Sequence, residues 1–88
     1  MGDPVVTSFR DEITALDERL VSTFNARLRK VAELRRYKEA NGIAFLDPGR
    51  EAWLVGHLKR VNEGPLSEDG LEELVTFVLD LVKRETAT

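Results

Sequence analysis

The feature that most limits the fold of this chain is a long stretch without glycine or proline, from Phe9 to Asn41. Within it, apolar side chains recur every three or four residues, at Phe9, Ile13, Leu16, Leu20, Phe24, Val31 and Leu34. At ~100° per residue these positions fall on one narrow stripe of an α-helix. The pattern predicts a single helix of about 32 residues, ~48 Å long, which ends at Asn41 and Gly42.

Two shorter helices are predicted after the long one. Asp47 and Pro48 have the pattern of an N-cap and a first helical residue, and the helix that they begin ends near Asn62. Ser67 predicts the N-cap of a third helix, which reaches Thr86. The apolar stripe of this helix comprises Leu71, Leu74, Val75, Val78, Leu81 and Val82. The expected fold is all-α, with one very long helix and two shorter ones.

The domain organisation follows from the same pattern. Residues 1–7 contain Gly2 and Pro4 and have no apolar period, so we expect a disordered N-terminal tail. We expect residues 8–88 to form a single domain, whose first helix is capped by Thr7 or Ser8.

The predicted long helix is longer than a compact domain of 88 residues. A compact domain of ~100 residues has a radius of gyration of only ~13 Å, and an exposed apolar stripe of this length favours aggregation. A second copy of the chain can cover the stripe. We therefore expect an intertwined homodimeric helical bundle in which the long helices pack together. The alternative is a two-chain coiled coil that contains no site.

Composition argues against several functional classes. The chain has no cysteine, which excludes disulfides and thiolate metal sites. Its net charge of −3 argues against a nucleic-acid partner. It has neither a signal-peptide pattern nor an apolar run near the ~20 residues that cross a membrane, so we expect a cytoplasmic protein. The single histidine, His57, lacks companions with metal or triad spacing, and we interpret it as a partly exposed helix residue.

Two cations interrupt the apolar stripe of the long helix. Its period places Arg27 and Lys38 in the middle of the stripe, eleven residues apart and ~16 Å along the helix. Each one alone could extend outward or pair with a carboxylate, since an unpaired buried cation costs several kcal/mol. Two cations on the same interior face of the helix favour a pocket for a small carboxylate anion. Arg50 can reach the same pocket, although a surface pair with Glu51 is the alternative.

Several motifs in register resemble those of one family. Residues 9–17 contain an arginine followed by the run I-x-x-L-D, and Arg27 and Lys38 follow at matching distances. Residues 47–51 have the pattern D-x-x-R-E. From about residue 8 to 82, the chain resembles the all-helical chorismate mutase family.

This resemblance implies conversion of chorismate to prephenate, a step toward phenylalanine and tyrosine. The reaction is a unimolecular rearrangement of a dianion, and it implies no metal and no cofactor. By resemblance, Arg27 and Arg10 hold the two carboxylates, with Arg10 donated by the other subunit. Lys38 points at the ether oxygen, where charge develops.

The remaining implied roles belong to the second helix. Glu51 and the backbone of Asp47 hold the ring hydroxyl, and Arg50 adds positive potential. An intact D-x-x-R-E motif favours a substrate with a hydroxyl. Two alternatives stay open: a relative that acts on aminodeoxychorismate or isochorismate, and a non-enzymatic helical interaction module. Interior Arg27 and Lys38 argue against the module, because a scaffold favours leucine there.

The third helix departs from the family pattern. Where the family has a substrate-facing serine and glutamine, this chain has Val82 and Thr86, and Glu85 is the nearest longer side chain. We expect these three residues at the substrate site. Either Lys38 stabilises the ether oxygen almost alone, or a partner orders the last turn. The resemblance suggests the first enzyme of the shikimate pathway as that partner.

Overall fold

The computed structural model describes residues 2–87, which form three helices and no strand. The helices are α1 (Pro4–Ala40), α2 (Pro48–Val61) and α3 (Glu68–Thr86). The all-α prediction, with one very long helix and two shorter ones, is confirmed. None of these helices is long and apolar enough to cross a membrane. Met1 of the predicted tail and Thr88 of the predicted domain lie outside the described residues.

Helix α1 begins at Pro4, before the N-cap predicted at Thr7 or Ser8. The side chain of Asp3 caps it by accepting hydrogen bonds of 2.7 and 3.2 Å from the backbone N–H groups of the second and third helical residues. Proline is favourable at the first helical position because a backbone N–H there would have no partner within the helix. The predicted tail is therefore wrong for residues 4–7, where an aspartate–proline pair extends the helix.

The other helix ends agree with the sequence signals. Asn41 is the C-cap of α1, and Gly42 follows with φ of 66°, a left-handed conformation that favours glycine. Asp47 caps α2 and Ser67 caps α3. Each side chain accepts a 3.0 Å hydrogen bond from the backbone N–H of the third helical residue.

Helix α3 packs against both other helices and contributes all the buried side chains of the described chain. These are Leu71, Val75, Val82 and Thr86. The molecule is 59 Å long with a radius of gyration of 17.0 Å, whereas a compact chain of this length has a radius of roughly 12 Å. A single chain therefore encloses only a small core.

The apolar stripe of α1 is open to solvent in the single chain. Phe9, Ile13, Leu16 and Leu20 are each more than half exposed. Isolated exposed leucines are ordinary, but a continuous row of large apolar side chains marks an interaction surface. The stripe becomes more enclosed toward Phe24 and Arg27, where α3 approaches α1.

Candidate active site

A cavity of about 320 Å³ lies where the middle of α1, the α1–α2 connector, the start of α2 and the end of α3 meet. Its volume is within the range of small-molecule sites. Six of the nine residues predicted for the site line it: Arg27, Lys38, Asp47, Arg50, Glu51 and Val82.

Helix α1 contributes Arg27 and Lys38, whose shared stripe places both on the cavity. The Nη1 atom of Arg27 is buried and has no hydrogen-bond partner among the described residues. The Nζ atom of Lys38 donates to the carbonyl oxygen of Phe45 at 3.3 Å, and an ammonium has two further N–H donors. A buried donor without a partner is costly, so an anion that accepts from Arg27 removes that cost.

The connector between α1 and α2 holds Lys38 through Phe45. The Phe45 ring centroid lies 4.2 Å from the guanidinium carbon of Arg35 and 6.0 Å from Nζ of Lys38. Both distances permit cation–π attraction. Sequence reasoning missed Phe45, because a four-residue apolar connector has no period that indicates which side chain faces the cavity.

Helix α2 places Arg50 on the cavity within an aromatic stack. The guanidinium carbon of Arg50 lies 4.3 Å from the Trp53 ring centroid. Trp53 in turn stacks on His57 at 4.6 Å, with 9° between the planes. His57 is partly exposed, as predicted. Stacking on Trp53 limits the rotamers of Arg50 and keeps its positive charge next to the cavity.

Glu51 pairs across the helix interface rather than with its neighbour Arg50. Nζ of Lys83, in the last turn of α3, lies 2.7 Å from Oε1 of Glu51. This hydrogen bond raises the pKa of the Lys83 ammonium above its usual value. Sequence reasoning missed Lys83, since basic residues are ordinary in the last turn of a helix, where they stabilise its dipole.

The charges that line the cavity favour an anion. Four cationic side chains face two carboxylates, from the set Arg27, Lys38, Arg50, Lys83, Asp47 and Glu51. A concave site with an excess of one sign concentrates ligands of the opposite sign.

Three predicted site residues do not line the cavity of their own chain. Arg10 is exposed and lies 17 residues before Arg27, ~26 Å along the helix axis, which is farther than its side chain can reach. Glu85 is exposed and lies outside the lining. Thr86 is buried, and its hydroxyl donates to the carbonyl oxygen of Val82 at 2.7 Å. Val82 forms an apolar wall that offers no side-chain hydrogen bond.

Comparison with known proteins identifies relatives over most of the chain. A sequence model of the chorismate mutase type II family matches residues 9–86. A bifunctional chorismate mutase/prephenate dehydratase of Stutzerimonas stutzeri is 33% identical over 77 residues, which cover 82% of this chain and 21% of that protein. The corresponding Pseudomonas aeruginosa protein is 32% identical over 77 residues, with the same coverage. The chain thus spans about a fifth of the length of these relatives.

Two solved structures have the same fold. Both are forms of a chorismate mutase from Thermus thermophilus. Form I superposes with a TM-score of 0.85 at 22% identity, over 88% of this chain and 96% of that one. Form II gives a TM-score of 0.88 at 21% identity, over 92% of each chain.

Proposed function

The chain belongs to the chorismate mutase type II family, and from this premise we propose that it catalyses the rearrangement of chorismate to prephenate. One observation carries the proposal. The buried Nη1 atom of Arg27 has no partner among the described residues, and it lies in a cavity lined by an excess of cations. A dianion the size of chorismate supplies the acceptors that this arrangement lacks.

The reaction is unimolecular, so the protein's task is to select a compact conformer and to stabilise developing charge. In the proposed arrangement Arg27 binds one carboxylate of the substrate. Lys38, already held by the carbonyl oxygen of Phe45 at 3.3 Å, directs a second N–H toward the ether oxygen. As the C–O bond breaks, negative charge grows on that oxygen, and the ammonium lowers the energy of the transition state more than that of the ground state.

The start of α2 is proposed to bind the ring hydroxyl. Glu51 lines the cavity with a carboxylate that can accept from a hydroxyl, and the Asp47 backbone lies one turn before it. Arg50 adds positive potential from its stacked position over Trp53. Selection for a hydroxyl distinguishes chorismate from aminodeoxychorismate, which carries an amine at that position.

A second chain is proposed to complete the site. Arg10 is too far from the cavity of its own chain, yet it flanks the exposed stripe of Phe9, Ile13 and Leu16. If the stripes of two chains pack together in an antiparallel arrangement, Arg10 of one chain approaches Arg27 of the other. The homodimer therefore covers the apolar stripe and supplies the second carboxylate-binding arginine.

Replacing Leu20 by aspartate tests the dimer. Leu20 is 66% exposed in the single chain, so the change creates no buried charge unless a second chain covers it. We expect the mass in solution to fall from twice the 9.9 kDa of one chain toward that of the monomer. Turnover should then fall at least about 100-fold, because an arginine donor is lost from each site. Light scattering after size exclusion measures the mass.

The matched control is Ser22→Asp, an exposed position on the opposite face of the same helix. It should leave both mass and turnover unchanged. A Leu20→Asp protein that keeps the wild-type mass and activity would show that the stripe is not the dimer interface.

The proposed activity is tested by product identification with three substrates. We expect prephenate from chorismate and much slower reactions of isochorismate and aminodeoxychorismate. Because Val82 and the internally bonded Thr86 offer no donor to the ether oxygen, the assay includes a parallel arm with the first enzyme of the shikimate pathway. A rise in rate in that arm supports the partner, and an unchanged rate supports Lys38 acting nearly alone. Absence of prephenate in both arms refutes the proposed function. Turnover of isochorismate or aminodeoxychorismate would then favour the relative with another substrate, and no turnover of any of the three would favour the interaction module. The cytoplasmic location stays a prediction.

A further inference from the structure

We propose that Lys83 is a positioning residue that holds Glu51 in place for the ring hydroxyl of the substrate and away from the cations of the cavity. The inference rests on the proposed function and adds a residue for which the family resemblance implies no role. It assigns to Lys83 an effect on substrate binding that acts through Glu51 rather than by direct contact.

The geometry of the pair supports this role. Nζ of Lys83 and Oε1 of Glu51 are 2.7 Å apart, and their side chains are 36% and 32% exposed. Both residues line the cavity. They come from different helices, so the packing of α3 against α2 determines where the carboxylate is held.

The cations around Glu51 explain why its pairing with Lys83 affects substrate binding. Its carboxylate shares the cavity with Arg27, Lys38 and Arg50. Without Lys83, the carboxylate is free to turn toward one of those cations and neutralise it. The substrate dianion then competes with Glu51 for the same donors, and its affinity falls.

Lys83 is suited to this task because it stays charged. Its hydrogen bond with Glu51 raises its pKa above the usual value of a lysine. The Lys83 ammonium is therefore fully charged at neutral pH, and its charge is lost only as the pH rises through the raised pKa of the folded protein.

A second ion pair between α2 and α3 provides a matched control. Nζ of Lys59 lies 3.0 Å from Oε2 of Glu72, at side-chain exposures of 32% and 56%. Neither residue lines the cavity. Lys59→Met therefore removes a comparable contact between the same helices without changing the proposed site.

The experiment is a double-mutant cycle on the full chain with chorismate as substrate. We expect Lys83→Met to lower kcat/KM about tenfold, mainly through a higher KM, with kcat nearly unchanged. In a Glu51→Gln background the same change should have less than about a twofold effect, because residues that act through one another are not additive. Lys83→Arg should keep most of the wild-type value, and Lys59→Met should match wild type.

Each contrary outcome has a distinct meaning. An equal loss from Lys83→Met in both backgrounds shows that Lys83 acts independently of Glu51, and no loss in either shows that it has no role. A similar loss of kcat/KM from Lys59→Met shows that any weakened contact between α2 and α3 lowers activity, so the effect of Lys83 is not specific to the site. Each of these three results overturns the role proposed for Lys83. If the wild-type chain still converts chorismate to prephenate, the proposed function is unaffected by them. A wild-type chain without turnover refutes the proposed function itself, and the inference falls with it.

Discussion

Replacing Arg27 by alanine is expected to lower kcat/KM for chorismate by about 100- to 1,000-fold, the usual effect of removing one preorganised donor from a charged site. We expect Arg27 to contribute most to kcat/KM, because its Nη1 atom is buried without a partner among the described residues. Lys38→Ala should cause a loss of the same order, since Lys38 is the proposed donor to the ether oxygen. Initial rates of prephenate formation measure both effects.

The Arg27→Ala protein should keep its fold and have the same mass in solution as the wild-type chain. Arg27 is half-buried and its Nη1 atom has no partner among the described residues. Its removal therefore relieves part of a desolvation cost, and thermal unfolding should occur at or above the wild-type temperature. The matched control is Arg29→Ala, which removes an exposed arginine from the opposite face of the same helix. If Arg27→Ala retained most of its turnover, or if Arg29→Ala lost as much, the assignment of the site to this cavity would be wrong.

Mixing two inactive variants is expected to restore activity. In a dimer built from one Arg10→Ala chain and one Arg27→Ala chain, one site contains Arg27 of the first chain and Arg10 of the second. The other site lacks both arginines. If subunits exchange at random, half of the dimers are mixed and each has one intact site, so about a quarter of wild-type activity should return.

The recovery depends on the distance between the two arginines. Along α1 they are ~26 Å apart, and Arg10 is exposed in the single chain. Mixing requires partial unfolding and refolding, so each variant treated alone is the control. If no activity returns although mass spectrometry detects mixed dimers, Arg10 does not act across subunits.

Periodicity was sufficient to predict the positions of Arg27 and Lys38. A helix of this length fixes the angular position of each residue, and the two cations fall in the middle of an apolar stripe. The caps at Asp47 and Ser67 are also predictable, because a side-chain acceptor just before a helix accepts a hydrogen bond from a backbone N–H of the first turn that has no partner within the helix. These features depend on local geometry alone.

Contacts between elements were not predictable in the same way. The pairing of Lys83 with Glu51 depends on how α3 packs against α2, and nothing in the sequence around Lys83 distinguishes it from a surface lysine. For the same reason Thr86 was expected at the site, although its hydroxyl turns back to the carbonyl of Val82. Periodicity assigns a residue to a face of a helix, and packing determines what that face contacts.

The central claim is tested most directly by the initial rate of prephenate formation from chorismate by the purified wild-type chain. The chain is prepared from a host without its own chorismate mutase, and the Arg27→Ala chain, purified in the same way, reports any contaminating activity. We predict a saturable rate far above that of the uncatalysed rearrangement and of the Arg27→Ala chain. A rate equal to the uncatalysed one, both for the chain alone and with the first enzyme of the shikimate pathway present, would contradict the account.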